Sequence, residues 1–83
     1  MTYSVYIIYS AILDKYYVGY SEDILQRLEQ HNSGISDFTA KANDWLLKYS
    51  VPFASRTDAM KREAEIKKKK SRKYIEWLIS SSG

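Results

Sequence analysis

Residues 3–10, Tyr-Ser-Val-Tyr-Ile-Ile-Tyr-Ser, carry β-branched and aromatic side chains at both odd and even positions. A strand with one wet face alternates apolar and polar residues, so a run that is apolar on both parities reads as a strand covered on both sides. Tyr3–Ser10 is therefore expected at the centre of a sheet. A turn around Asp14 follows, and Lys15–Tyr20 (KYYVGY) is a second β-rich run. A connection this short joins only antiparallel neighbours, which predicts a hairpin. Gly19 inside the second strand marks a bulge or a close approach by another chain or a ligand.

Downstream, Ser21 with Glu22 and Asp23 predicts a helix start, a hydroxyl cap with acids in the first turn. That helix is expected to turn Ile24, Leu25 and Leu28 inward and to end near Asn32–Gly34, with Gly34 left-handed just past its end. Residues 33–44 are polar and read as irregular. Trp45–Phe53 (WLLKYSVPF) reads as a third strand, which Pro52 confines to an edge or a strand end. Ser55 or Thr57 caps a second helix to about Lys70, and Ser71 opens a third over Arg72–Ser80. The order ββαβαα predicts an α+β fold, a small three-stranded antiparallel sheet flanked by helices. With 83 residues there is room for one core, hence one domain over 1–83.

Composition removes several classes of function. The chain has no cysteine, which excludes a disulfide scaffold, a thiolate metal site and a cysteine nucleophile, and fits a cytoplasmic setting. Met1–Ser10 lacks the basic flank and cleavage site of a signal peptide. No stretch approaches the ~20 apolar residues of a membrane span. The net charge is only +3, but it is unevenly spread. Residues 1–55 carry four basic and six acidic groups, whereas residues 56–73 carry nine basic and three acidic ones. Such a block points to a polyanionic partner.

Four groups of residues are candidates for chemistry. Arg27 and His31 lie four apart on one helix face, where a guanidinium and an imidazole make an anion site; a solvated face would show the same spacing. On the second helix, about 100° per residue puts Ala59, Met60 and Ile66 within roughly 60° of Glu63. Glu63 thus falls in the apolar stripe, and a carboxylate there needs a metal, strong donors or a salt bridge to Arg27 or Lys67. The eight tyrosines are ordinary strand filler unless a phenol faces that region; Tyr6 and Tyr17 are placed to do so across the hairpin. Lys67, Lys68, Lys69 and Lys70, with Arg72 and Lys73, exceed what helix capping requires and suit contact with a phosphate backbone.

Together these residues resemble the GIY-YIG nuclease family. Ser4-Val5-Tyr6 stands where that family has Gly-Ile-Tyr, and Tyr17-Val18-Gly19 where it has Tyr-Ile-Gly. Asp23-Ile24-Leu25-Gln26-Arg27-Leu28, followed by His31-Asn32-Ser33-Gly34, is similar to its arginine helix. Ala59-Met60-Lys61-Arg62-Glu63 is similar to the helix bearing its metal-binding glutamate. The likeness runs from Tyr3 to about Tyr74 and is nearest to the small stand-alone bacterial members, which are similar to the N-terminal nuclease domain of the bacterial excinuclease. A late polar residue of some members, often Asn, has no counterpart here.

The resemblance implies a metal-dependent endonuclease of DNA, structure-selective and working in repair or recombination. Glu63 would hold one Mg²⁺ (or Mn²⁺), Arg27 would stabilise transition-state charge, and Tyr6 or Tyr17 would orient or deprotonate water. His31 would accept or relay the proton, and Lys41, in the polar loop, would touch phosphate. Two alternatives stand beside it. One is a nucleic-acid-binding module that cuts weakly or not at all; the other is a nuclease that needs a partner protein.

Overall fold

A computed structural model describes residues 2–34 and 41–81. Three strands, β1 (Tyr3–Ser10), β2 (Lys15–Ser21) and β3 (Leu46–Phe53), and three helices, α1 (Ile24–Asn32), α2 (Arg56–Lys69) and α3 (Arg72–Ser81), follow in the order ββαβαα. The sheet is antiparallel, with β1 between β2 and β3. The central position expected for β1 is thus observed, and four consecutive side chains, Val5 to Ile8, are fully buried. Odd residues Val5 and Ile7 pack with Val18 against Ala59 and Ile66 of α2 and Leu78 of α3. Even residues Tyr6 and Ile8 pack with Trp45, Ile24 and Leu28 on the opposite face. Burying each such side chain is worth roughly 1.5–3 kcal/mol, so β1 is the main apolar anchor of the molecule.

The local signals succeed where the chain's own backbone decides. Asp14 makes the hairpin turn at φ 52°, and Gly34 is left-handed at φ 82°. Ser55 Oγ accepts from Asp58 N–H at 3.1 Å and caps α2, whereas Ser71 Oγ does the same for Tyr74 N–H at the start of α3. Pro52 lies on edge strand β3, opposite Ser4. Residues 35–40 of the segment expected to be irregular lie outside the described residues.

Three expectations need correction. Ser21 does not cap α1: it closes β2, and Asp23 is the cap, its carboxylate accepting from Gln26 N–H at 3.1 Å. Glu22 and Asp23 therefore precede the first turn rather than sit in it. Leu25 does not point inward but is 75% exposed. With α1 starting at Ile24, the inward arc is Ile24, Leu28 and His31, and Leu25 lies about 100° away from Ile24. Met60 is likewise 46% exposed. The buried face of α2 centres between Ala59 and Ile66, which leaves Glu63 on its shoulder and Met60 about 110° off centre.

Trp45 is fully buried but stands just ahead of β3. Its peptide group is taken by Asn32 instead of the sheet. Trp45 N–H donates to Asn32 Oδ1 at 2.7 Å, and Asn32 Nδ2 donates to Trp45 C=O at 3.1 Å. This paired contact ties the end of α1 to the entry of β3.

Candidate active site

The strand register sets the site's floor. Tyr6 lies opposite Gly19 and Ile8 opposite Tyr17, so Tyr6 and Tyr17 are diagonal neighbours on one face. The Tyr6 ring crosses directly over Gly19. A Cβ there would stand 2.6 Å from Tyr6 Oη and 2.8 Å from Cζ, closer than any side chain tolerates. The approach at Gly19 is thus made by a side chain of the same sheet, and not by the bulge, the other chain or the ligand that the sequence suggested.

Helix α1 supplies the groups above that floor. His31 is fully buried, its Nε2 2.8 Å from Tyr6 Oη, and its ring lies 4.9 Å from that of Tyr17. Burial, reinforced by the Arg27 charge, lowers the His31 pKa to about 4, so the imidazole is neutral near pH 7. Burial raises the Tyr6 phenol to about 12; Tyr17 and Glu63 push the same way, and the nearby Arg27 guanidinium opposes them. The Tyr6–His31 bond is accordingly made between two neutral groups. Arg27 is half-buried, and Nη1 donates to Gln30 Oε1 at 2.9 Å, which steadies the guanidinium on this side of the helix.

Glu63 reaches the cluster from α2. Its side chain is 20% exposed and pairs with Lys67 Nζ at 3.2 Å, one turn along the helix. The Lys67 ammonium also lies 5.7 Å from the centre of the Tyr17 ring. Of the two ion-pair partners expected for Glu63, Lys67 is the one observed. Tyr6, Tyr17, Arg27, His31 and Glu63 thus form one cluster, joined through the Tyr6–His31 bond, the Arg27 guanidinium beside Tyr6, the tilted ring contacts of His31 and Lys67. Among the described residues no three His, Asp or Glu side chains converge. A divalent ion at Glu63 would have one carboxylate and complete its shell with water and phosphate oxygens, a donor set that suits Mg²⁺.

The basic residues divide by what they touch. Arg72 binds Asp14 Oδ1 at 2.7 Å and Glu76 Oε2 at 3.4 Å, and it stacks 5.3 Å from the Tyr16 ring, so it pins α3 to the hairpin turn. Lys69 covers Tyr74 at 5.4 Å. Lys68, Lys70 and Lys73 are exposed and have no ion-pair partner among the described residues. Lys41 is also exposed and lines a separate groove with Asn32 and Gly34. It does not meet the five-residue cluster.

Sequence reasoning missed two supports of this site. Asn32 was visible only as the neighbour of His31; its clamp on Trp45 holds the helix end that carries the imidazole. Asp44 accepts from Ser10 Oγ at 2.6 Å and from Ile12 N–H at 3.0 Å, tying the approach to β3 onto the hairpin. These bonds hold its carboxyl below the usual range. Neither contact has a local signal, since each joins segments more than ten residues apart.

Comparison with known proteins gives a consistent picture. The family model of the GIY-YIG catalytic domain matches residues 2–75. A UPF0213 protein of Streptococcus pneumoniae serotype 4 is 41% identical over 64 residues, covering 76% of this chain and 65% of the relative. A UPF0213 protein of Halobacterium salinarum is 36% identical over 53 residues, covering 63% of this chain and 69% of the relative. The matched part thus spans just under two thirds of the pneumococcal relative's length. Among solved structures, the solution structure of a UPF0213 protein from Bacillus halodurans is similar over 100% of this chain and 87% of its own, with a TM-score of 0.62 and 32% identity.

Proposed function

The chain belongs to the GIY-YIG family and carries its nuclease domain, and from that premise we propose that it is a metal-dependent endonuclease that hydrolyses phosphodiester bonds in DNA. The observation that carries this reading is the joining of Tyr6, Tyr17, Arg27, His31 and Glu63 in one cluster from four separate elements. A structural role alone has no need for a buried neutral histidine beside a phenol, a guanidinium and a shielded carboxylate.

Exposure divides the two tyrosines. Tyr6 is 1% exposed and bonded to His31, so it positions the imidazole and does not meet the attacking water. Tyr17 is half-buried at the mouth of the cluster and is the phenol that orients that water. Neutral His31 is as fully buried as Tyr6 and its Nε2 is bonded to that phenol, so it receives the proton that the water loses by relay and not by contact with the water. Arg27 pairs with the phosphoryl oxygens as charge builds on them, a geometry that lysine does not reproduce. Glu63 would hold Mg²⁺ or Mn²⁺, which when bound would polarise the scissile phosphate and ease departure of the leaving oxygen. Lys67, Lys68, Lys69, Lys70, Lys73 and Lys41 neutralise the strand on either side. Two apolar clusters on opposite faces of the sheet, which share β1 and β2 and together draw on all six elements, support a single domain over 1–83. We place its work in cytoplasmic DNA repair or recombination, on substrates selected by structure, since the described elements include no base-reading recognition helix in the classes known for sequence-specific binding.

A second reading, binding with little or no cutting, draws on the Glu63–Lys67 pair, which neutralises the carboxylate the metal needs. Cleavage of labelled single-stranded, duplex, flap and branched DNA, with Mg²⁺, Mn²⁺ or EDTA, separates the two. The nuclease reading expects metal-dependent cutting that falls to background in Glu63→Gln and drops about 10²–10⁴-fold in Tyr17→Phe. Salt-sensitive binding without cutting, equal in wild type and Glu63→Gln, would overturn it in favour of a binding module or a nuclease that a partner protein activates.

A further inference from the structure

Beside the cluster, a cavity of about 420 Å³ opens between the outer edge of β2, the end of α2 and the start of α3. Its floor is aliphatic, made by Val18, Ile66 and Ile75, and the aromatic residues Tyr16 and Tyr17 line it. Tyr16 shares the face of Val18 and Ile66, whereas Tyr17 points to the opposite face of β2 and borders the cavity at the strand edge; an apolar hollow of this size with one aromatic wall takes a flat, uncharged group. Its rim is the opposite in character, carrying four cations against the single carboxylate of Asp14. Two of those cations are already engaged, Arg72 with Asp14 and Lys67 with Glu63. Lys15 and Lys70 are exposed and have no ion-pair partner among the described residues. An occupant with a flat apolar body and an attached anion matches both parts.

The backbone adds a separate observation. Lys70 sits between α2 and α3 at φ 49°, a left-handed conformation that glycine adopts without cost. A lysine there carries backbone strain and places an ammonium-bearing side chain on the cavity wall. Moreover, Tyr17 and Lys67 belong both to this cavity and to the cluster read above as catalytic. Whatever occupies the cavity therefore lies next to the reacting phosphate. A base inside a duplex is stacked and paired and has no face free to enter a hollow; only an unpaired nucleotide does.

We propose that this cavity seats one unpaired nucleotide of the substrate strand, its base over Ile75 beside Tyr16 and its phosphate against Lys15 and Lys70. The position of that nucleotide beside the scissile bond rests on the nuclease reading; its binding in the cavity does not.

The binding test uses the full chain, ¹⁵N-labelled, titrated with dAMP and separately with inorganic phosphate, followed by amide shifts. The expected result is saturable shifts with dAMP at Tyr16, Val18 and Ile75 that phosphate alone does not produce. Lys15→Glu, an exposed change that leaves the core intact, should weaken dAMP at least fivefold, and Ile75→Trp should abolish the shifts by filling the hollow. Fluorescence anisotropy in the Glu63→Gln background then compares a duplex bearing one unpaired nucleotide with the fully paired duplex. A preference of tenfold or more for the unpaired form, lost in Lys15→Glu, supports the site.

Shifts no larger with dAMP than with phosphate, or equal affinity for the two duplexes, would overturn it. Shifts with dAMP in a protein that cuts no DNA would leave the cavity site standing and remove the nuclease reading. Cutting without dAMP shifts would do the reverse.

Discussion

Gly19 controls the site at the scale of one atom. Tyr6 has nowhere to retreat, because its ring is buried and its phenol is bonded to His31. Gly19→Ala, whose Cβ would lie 2.6 Å from that phenol, should cost about 1–3 kcal/mol, or about 4–8 °C in Tm per kcal/mol. A thermal melt checks the stability, and a DNA-cleavage assay below the melting range should still show reduced turnover, because the Tyr6–His31 pair has moved. His31 sets a pH dependence whose sign is fixed by its depressed pKa of about 4. The unfolded chain, with a histidine near 6.5, binds the proton first, so stability is complete above about pH 6.5 and is lost as pH falls toward 4. That loss should be on the order of 3 kcal/mol, and urea titrations at pH 7, 5.5 and 4 should find it. His31→Asn should flatten this part of the profile.

Helix α1 has only nine residues and is too short to be stable by propensity alone. Packing of Ile24, Leu28 and His31 holds it, together with the Asn32 clamp on Trp45. Arg27 and His31 thus ride on an element with little intrinsic stability, whose orientation is set by tertiary contacts at both ends. The break between α2 and α3 shows the opposite trade. Lys70→Gly should relieve the left-handed backbone and stabilise the protein by up to about 1 kcal/mol. The same change should weaken nucleic-acid binding, which a melting curve and an anisotropy titration on one sample would both report. A variant that is no more stable than wild type would mean that the φ of Lys70 carries no strain.

Across the whole molecule, the basic block becomes a surface in which cations are not equivalent. Arg72 is engaged by Asp14 and Glu76, whereas Lys68, Lys70 and Lys73 face solvent. Affinity for DNA should fall steeply with salt, with a slope of log K on log salt between about −3.5 on single strands and about −5.4 on duplex for five or six phosphate contacts. Removing Lys68 and Lys73 together should make that slope shallower by roughly 2, whereas Arg72→Ala should leave it nearly unchanged and lower the Tm instead. An equal change in slope for both variants would show that Arg72 leaves its carboxylates to bind phosphate.

What the sequence determined by itself is whatever a local stretch decides. The apolar parity of Tyr3–Ser10 requires a covered strand, the short connection at Asp14 requires a hairpin, and the caps at Ser55 and Ser71 start their helices. The motif residues were legible for the same reason, since each sits in a short segment of recognisable spacing. Where a local signal fixes position only to within a residue or two, it misled: Asp23, read as a first-turn acid behind a Ser21 cap, is itself the cap, and Leu25 and Met60 lay one position outside their buried arcs. Tertiary structure alone decided that Tyr6 is sealed against His31 while Tyr17 faces the mouth, and that Glu63 pairs with Lys67. It alone placed Asn32 on Trp45 and opened a cavity beside Tyr17. Those outcomes depend on strand register and on which helix shoulder meets which sheet edge, and they arise only when residues far apart in the chain compete for the same space.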